Sequence, residues 1–204
     1  MWRAIAVGFF HGAAINTPIV FYALYMQRYH HGSPWEIGIG FLPCNAAIIG
    51  ASLGGARLAA WIRYRMMMAA GMAAVMGGVW WLTTISVDGR YATTILPGWI
   101  LFGLGVGAAQ IGIVGAATDD APKSARGVVG GLVNTTGQVG TAVGLAVLTV
   151  VSSQFTSAID GYRAAFATGG TLALAGVILS VLPIVRRGEA ASMAACREEE
   201  RAGA

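Results

Sequence analysis

Apolar and polar positions alternate along this chain on a long scale. Runs of about 20 apolar residues are separated by short islands that hold most of the charge. A helix of about 20 apolar residues spans the roughly 30 Å hydrocarbon layer, so the runs at residues 2–26, 35–58, 66–86, 93–118, 127–153 and 164–185 read as six membrane-crossing helices, with a polar tail at 188–204. The predicted fold class is therefore an all-α membrane protein. Within the fifth run, Gly130, Asn134, Gln138 and Thr141 recur three to four residues apart and share one helical face. Amides facing lipid leave hydrogen-bonding groups unpaired at a cost of several kcal/mol. That face is expected to line a water-filled path or to meet other helices. Gln110 in the fourth run and Asn16 in the first are candidates for the same lining.

The islands predict where helices begin and how they pack. Ser33, Pro34 and Glu36 form a capping-box sequence, with proline at the first helical position. Tyr22, Tyr25 and Tyr29 are read as interfacial, as are Trp80 and Trp81. Asp88-Gly89-Arg90 predicts a turn, and residues 154–163 a short loop. The pairs Gly50/Gly54, Gly103/Gly107, Gly127/Gly131 and Gly140/Gly144 have the i, i+4 spacing that lets membrane helices approach closely.

Charge then orients the helices. The chain has 204 residues and only 11% are charged, against about 25% in soluble domains. The net charge is +4, but the arginines lie between the apolar runs and form no dense patch, so no nucleic-acid partner is read from them. Arg3, Arg57, Arg63, Arg65, Lys123, Arg126, Arg186 and Arg187 fall on one side of a six-helix threading, and Arg28, Arg90 and Arg163 on the other. By the positive-inside rule both termini are expected in the cytoplasm. Arg57, Arg63, Arg65, Asp119, Asp120 and Arg126 are candidates for a cytoplasmic gate, against the plainer role of solvated, orienting loops.

Enzyme-like patterns carry little. Gly50-Ala-Ser52-Leu-Gly54 matches the nucleophile-elbow pattern, but that motif needs a strand-to-helix turn and a histidine base. Ser52 lies in an unbroken apolar run, and His11, His30 and His31 all precede it. Gly103, Gly105 and Gly107 follow no strand, so no dinucleotide is implied. Cys44 and Cys196 sit in different settings, so neither a disulfide nor a metal site is predicted, and no cofactor is expected. The consecutive Met66, Met67 and Met68 read as packing or lipid-facing residues.

Taken in order, Tyr25-Met-Gln27, Gly32-Ser-Pro34, Gly38 and Phe41-Leu-Pro43 resemble the first two helices of the C-terminal six-helix half of a fourteen-helix major facilitator drug:proton antiporter, in the branch common in actinobacteria. Gly127, Gly131-Leu-Val-Asn134-Thr, Gln138-Val-Gly140 and Gly144-Leu-Ala are similar to that branch's penultimate helix, and Tyr162-Arg163-Ala-Ala-Phe166 to the start of its last. The chain departs from the pattern at Gly137, where the family often has arginine. It departs again at residues 57–65, which lack the family's aspartate. The resemblance implies a major-facilitator half-bundle in the bacterial inner membrane, exporting small amphipathic compounds against protons. It also implies a missing N-terminal half or a homodimer mate, and coupling carboxylates mainly in that missing half.

Proton coupling needs a titrating group inside the membrane. His11 is the only ionisable residue in mid-span. It is read either as a neutral imidazole bonded to a neighbouring helix or as a proton-linked site. The alternative to transport is a remnant or accessory bundle that packs against another membrane protein.

Overall fold

The computed structural model describes residues 2–59, 61–87, 89–119 and 121–182. Asp88, Asp120, Arg186, Arg187, Cys196 and the expected tail at 188–204 lie outside the described residues. The described residues contain no strand and six helices long and apolar enough to cross a membrane. They are α1 (Trp2–Tyr29), α2 (Pro34–Leu58), α3 (Tyr64–Trp81), α4 (Leu96–Asp119), α5 (Arg126–Ser153) and α6 (Ala158–Val181). A 3-10 turn, Leu82–Thr84, extends α3, and a π-helical turn, Tyr91–Ile95, leads into α4.

Local chemistry sets several ends. Ser33 accepts from the Glu36 backbone N–H, while the Ser33 N–H donates to the Glu36 carboxylate at 2.7 Å, so the capping box forms. At the end of α1, His31 adopts φ 48° and the Gly32 N–H donates to the Met26 carbonyl at 3.1 Å, a left-handed helix stop. α6 starts at Ala158, earlier than the expected 164. Asp160 sits in its first turn, and the Arg163 Nε–H donates to the Ile85 carbonyl at 2.8 Å. Charges that look like a loop in sequence therefore belong to a helix start.

α1 and α4 meet at the centre of the bundle. α5 and α6 pack on α1, α2 and α3 pack on α4, and α3 also packs on α6. Close approaches give the directions. A Cβ on Gly103 would lie 2.5 Å from the Cys44 carbonyl oxygen, and one on Gly107 2.6 Å from that of Ile48, so α2 and α4 run parallel. Gly140 abuts the Phe9 backbone and Gly144 that of Ala13, so α1 and α5 also run parallel. Gly78 against Phe102 and Gly112 against Met68 make α3 and α4 antiparallel. Exchanging α1 with α4, α2 with α5 and α3 with α6 reproduces this pattern of neighbours, the plan of an internal repeat.

The core runs through the middle of that plan. Met68, Met72, Val75, Val79, Trp99 and Phe102 are almost fully buried between α3 and α4. Of the three consecutive methionines, Met66 faces out and the other two pack inward. Tyr22 and Tyr25 are buried against neighbouring helices. Tyr25 Oη donates to the Ser86 carbonyl at 2.6 Å, so this ring ties α1 to the 85–90 connection.

Candidate functional site

α5 presents three faces, and their difference defines the site. Val133, Gly140, Gly144 and Leu148 are buried against the bundle. At about 100° per residue, Val128, Leu132, Val139, Val143 and Val150 gather on a second face, all exposed and all apolar. Between the two lies a third face bearing Gly127, Gly130, Gly131, Asn134, Gln138 and Thr141. Asn134 and Gln138 are exposed there, and nothing comes within 4 Å of a Cβ built on any of those three glycines. The Val/Leu face suits lipid. The glycine and amide face does not, because its amides would lose water without gaining partners.

The other polar candidates divide into two groups. Asn16 Nδ2 donates to Thr141 Oγ1 at 3.2 Å, and Thr141 Oγ1 donates to the Gly12 carbonyl at 3.2 Å. These two side chains bind α1 to α5, beside the contact of Gly12 with the Gly137 backbone. Their hydrogen-bonding capacity is largely spent between helices, which narrows their reading as lining residues.

Gln110 and His11 form the second group. His11 is 4% exposed and neither ring nitrogen makes a hydrogen bond of full geometry. The Gln110 side chain of α4 is the polar group that faces it. At this level α1, α4 and α5 converge: Ile113 and Val133 stand 3.6 and 3.7 Å from a Cβ on Gly8. A buried imidazole, an adjacent amide and the exposed Asn134 thus occupy one end of the α1/α4/α5 cleft.

By the bundle's internal repeat, the counterpart of that cleft lies between α4, α1 and α2. There a cavity of about 370 Å³ is lined by Ile15, Ile19, Phe41, Cys44, Asn45 and Phe102, among others. Asn45 is its one amide, and Nδ2 of that residue donates to the Phe41 carbonyl within its own helix at 3.1 Å. The cavity's lining is apolar and follows no motif; Asn45 beside Pro43 in mid-run is the one signal it left.

Of the paired glycines, Gly103/Gly107 and Gly140/Gly144 sit at close helix crossings. Gly50/Gly54 and Gly127/Gly131 do not, with open space where their side chains would be, so their reading as packing positions is corrected within this bundle. The pairs face away from their neighbours, and spacing alone cannot report that. The gate candidates Arg57, Arg63, Arg65, Asp119 and Arg126 are all exposed. Among the described residues no ion pair joins them; the ion pair present is Arg163–Asp160 at 3.4 Å, near the opposite ends of the helices.

The sequence model of the Major Facilitator Superfamily matches residues 8–196. The chain is 33% identical over 192 residues to the puromycin resistance protein pur8 of Streptomyces alboniger, covering 84% of this chain and 38% of the relative. It is 31% identical over 185 residues to the cephamycin export protein CmcT of Amycolatopsis lactamdurans, covering 85% and 37%. It is 28% identical over 188 residues to a lincomycin resistance protein of Streptomyces lincolnensis, covering 92% and 38%. The chain thus spans well under half the length of these relatives.

Proposed function

The chain belongs to the Major Facilitator Superfamily, and we propose that it acts as the C-terminal half of an exporter that moves small amphipathic compounds outward in exchange for protons. Membership makes it a multi-pass membrane protein of a transporter family rather than an enzyme, located in bacteria in the inner membrane. The proposal extends to what lies opposite the site: a second bundle, either the N-terminal half or another copy of this chain, facing the glycine and amide face of α5. Both termini are taken as cytoplasmic on the distribution of arginine. The names of the relatives, which record antibiotic resistance and export, support the efflux direction.

One observation carries this reading: the exposed surface of α5 is split into a purely apolar face and an amide face within one membrane-crossing helix. A helix surrounded only by lipid has no use for that split. In the alternating-access scheme two bundles rock around a midplane site. Asn134, Gln138 and Gln110 would offer uncharged donors and acceptors along its wall. His11 is this chain's only candidate for a mid-span titrating group, so coupling rests on it or on carboxylates of the second bundle.

The test is thiol labelling in native membranes, on a background in which Cys44 and Cys196 are replaced by serine. Asn134→Cys and Gln138→Cys should react with a membrane-impermeant maleimide, whereas Val139→Cys and Val143→Cys should not. Equal reaction of the two sets would remove the wall from the proposal. The alternative, a non-transporting bundle that packs on another membrane protein, draws on the absence of any Asp or Glu from the middle of the spans. It predicts no substrate-dependent proton flux in liposomes even when the second bundle is supplied.

A further inference from the structure

A charged group the transport reading does not use lies at one end of the bundle. Arg3 is in the first turn of α1, and its Nε and Nη2 are both shielded from solvent without a hydrogen-bond partner. Arg65, in the first turn of α3, is the charge that acts on it. The helix register explains the meeting. A Cβ on Gly176 of α6 would touch Met72 of α3 and lie 3.5 Å from Phe10 Cβ of α1, so these three residues share a level. Arg3 and Arg65 each precede that level by seven residues, about 10 Å along helices that run the same way. The two guanidinium groups therefore reach the same end of the bundle, where α6 finishes at Val181.

Two cations at one end of the bundle, one of them with buried donors left open, are unfavourable unless an anion joins them. Neither first turn contains an acidic residue, and no described carboxylate pairs with either arginine. Planar guanidinium forks match the oxygens of a phosphate. Trp2, next to Arg3, is 76% exposed and Trp61, four residues before Arg65, is 88% exposed, and exposed indole rings favour the headgroup layer of a membrane. We propose that Arg3 and Arg65 form a binding site for the phosphate of an anionic phospholipid. Anionic headgroups fit better than zwitterionic ones, since the two guanidinium groups supply only positive charge and no described carboxylate pairs with either of them. The site depends on the bundle crossing a membrane and not on transport.

The purified full-length chain in detergent is titrated with dioleoylphosphatidylglycerol, with dioleoylphosphatidylcholine and with inorganic phosphate. Retained lipid is counted by native mass spectrometry. One phosphatidylglycerol per chain is expected at tenfold or lower concentration than phosphatidylcholine, with the preference lost in Arg3→Gln and in Arg65→Gln and kept in Arg90→Gln at the other end. Arg3→Lys, which keeps the charge and loses the fork, should fall between and stands in should Arg3→Gln not fold. Equal lipid retention by all variants would overturn the site. Displacement of the lipid by millimolar inorganic phosphate would reassign it to a soluble anion. If phosphatidylglycerol binds only after Glu198, Glu199 and Glu200 are changed to Gln, the chain's own acidic run is the occupant and the lipid assignment falls.

Discussion

Replacing glycine by alanine on α5 should have opposite signs on its two glycine-bearing faces. At Gly144 a new Cβ would sit 2.5 Å from the Ala13 carbonyl oxygen and 2.6 Å from the Ala13 Cα, while ordinary carbon contacts begin near 3.5 Å. α5 must therefore withdraw from α1 by about 1 Å, since the obstruction is backbone and cannot rotate away. A shift of that size takes the Asn16–Thr141 and Thr141–Gly12 bonds, each 3.2 Å, out of hydrogen-bonding range. Two such bonds are worth about 1.2 kcal/mol at the membrane-protein average of about 0.6 each. Overpacking adds about 1–3 kcal/mol. The helix preference of alanine over glycine returns up to about 1 kcal/mol, so Gly144→Ala is expected to destabilise by roughly 1–3 kcal/mol. Gly140→Ala, whose Cβ would strike the Phe9 carbonyl, should do the same. Gly127→Ala and Gly131→Ala meet nothing within 4 Å, and keep the helix gain of up to about 1 kcal/mol with no opposing cost. Reversible unfolding in mixed micelles against detergent mole fraction, followed by circular dichroism, reads all four. Shifts of the same sign at both pairs would refute the close α1–α5 crossing.

Smaller tests probe single contacts with the same unfolding assay. A double-mutant cycle of Asn16→Ala and Thr141→Ala should give a coupling near 0.6 kcal/mol, and zero coupling would dissolve the link between α1 and α5. Ser33→Ala removes the side-chain cap of α2 and should cost about 1 kcal/mol; no change would mean that interfacial water satisfies the freed Glu36 N–H equally well. Arg163→Ala should cost about 1 kcal/mol through its bond to the Ile85 carbonyl, whereas Asp160→Ala should cost under about 0.5 because that pair is 41% and 51% exposed. The reverse order would place the weight on the ion pair.

The six helices were legible because apolar run length answers directly to bilayer thickness, and the stripe on α5 because spacing near 3.6 fixes a shared face. Which faces meet was not legible. Gly50/Gly54 and Gly103/Gly107 look alike as strings, yet one pair is open and the other touches the α2 backbone. Spacing defines a face without naming what it opposes. That Asn16 and Thr141 bond to each other was not legible either, because nothing local connects positions 125 residues apart. Arg163 misled for a related reason. Its charge suggested a loop, but its stem starts a helix while its head reaches the carbonyl of Ile85 on another segment. His11 was visible as an anomaly, and only the convergence of α1 with α4 supplied its neighbour Gln110.

The pairing of α1 with α5 also sets an order in time. α1 is made before α5, and its partner for Asn16 and Gly12 is 125 residues behind it on the ribosome. At roughly 5–20 residues per second, α1 spends on the order of 6–25 s in the bilayer before α5 exists. Throughout that interval the Asn16 amide and the backbone notch at Gly12 remain open to water, to the insertion machinery or to a stray helix. A nascent chain halted after α4 would therefore be the form most prone to wrong association and to quality-control proteolysis.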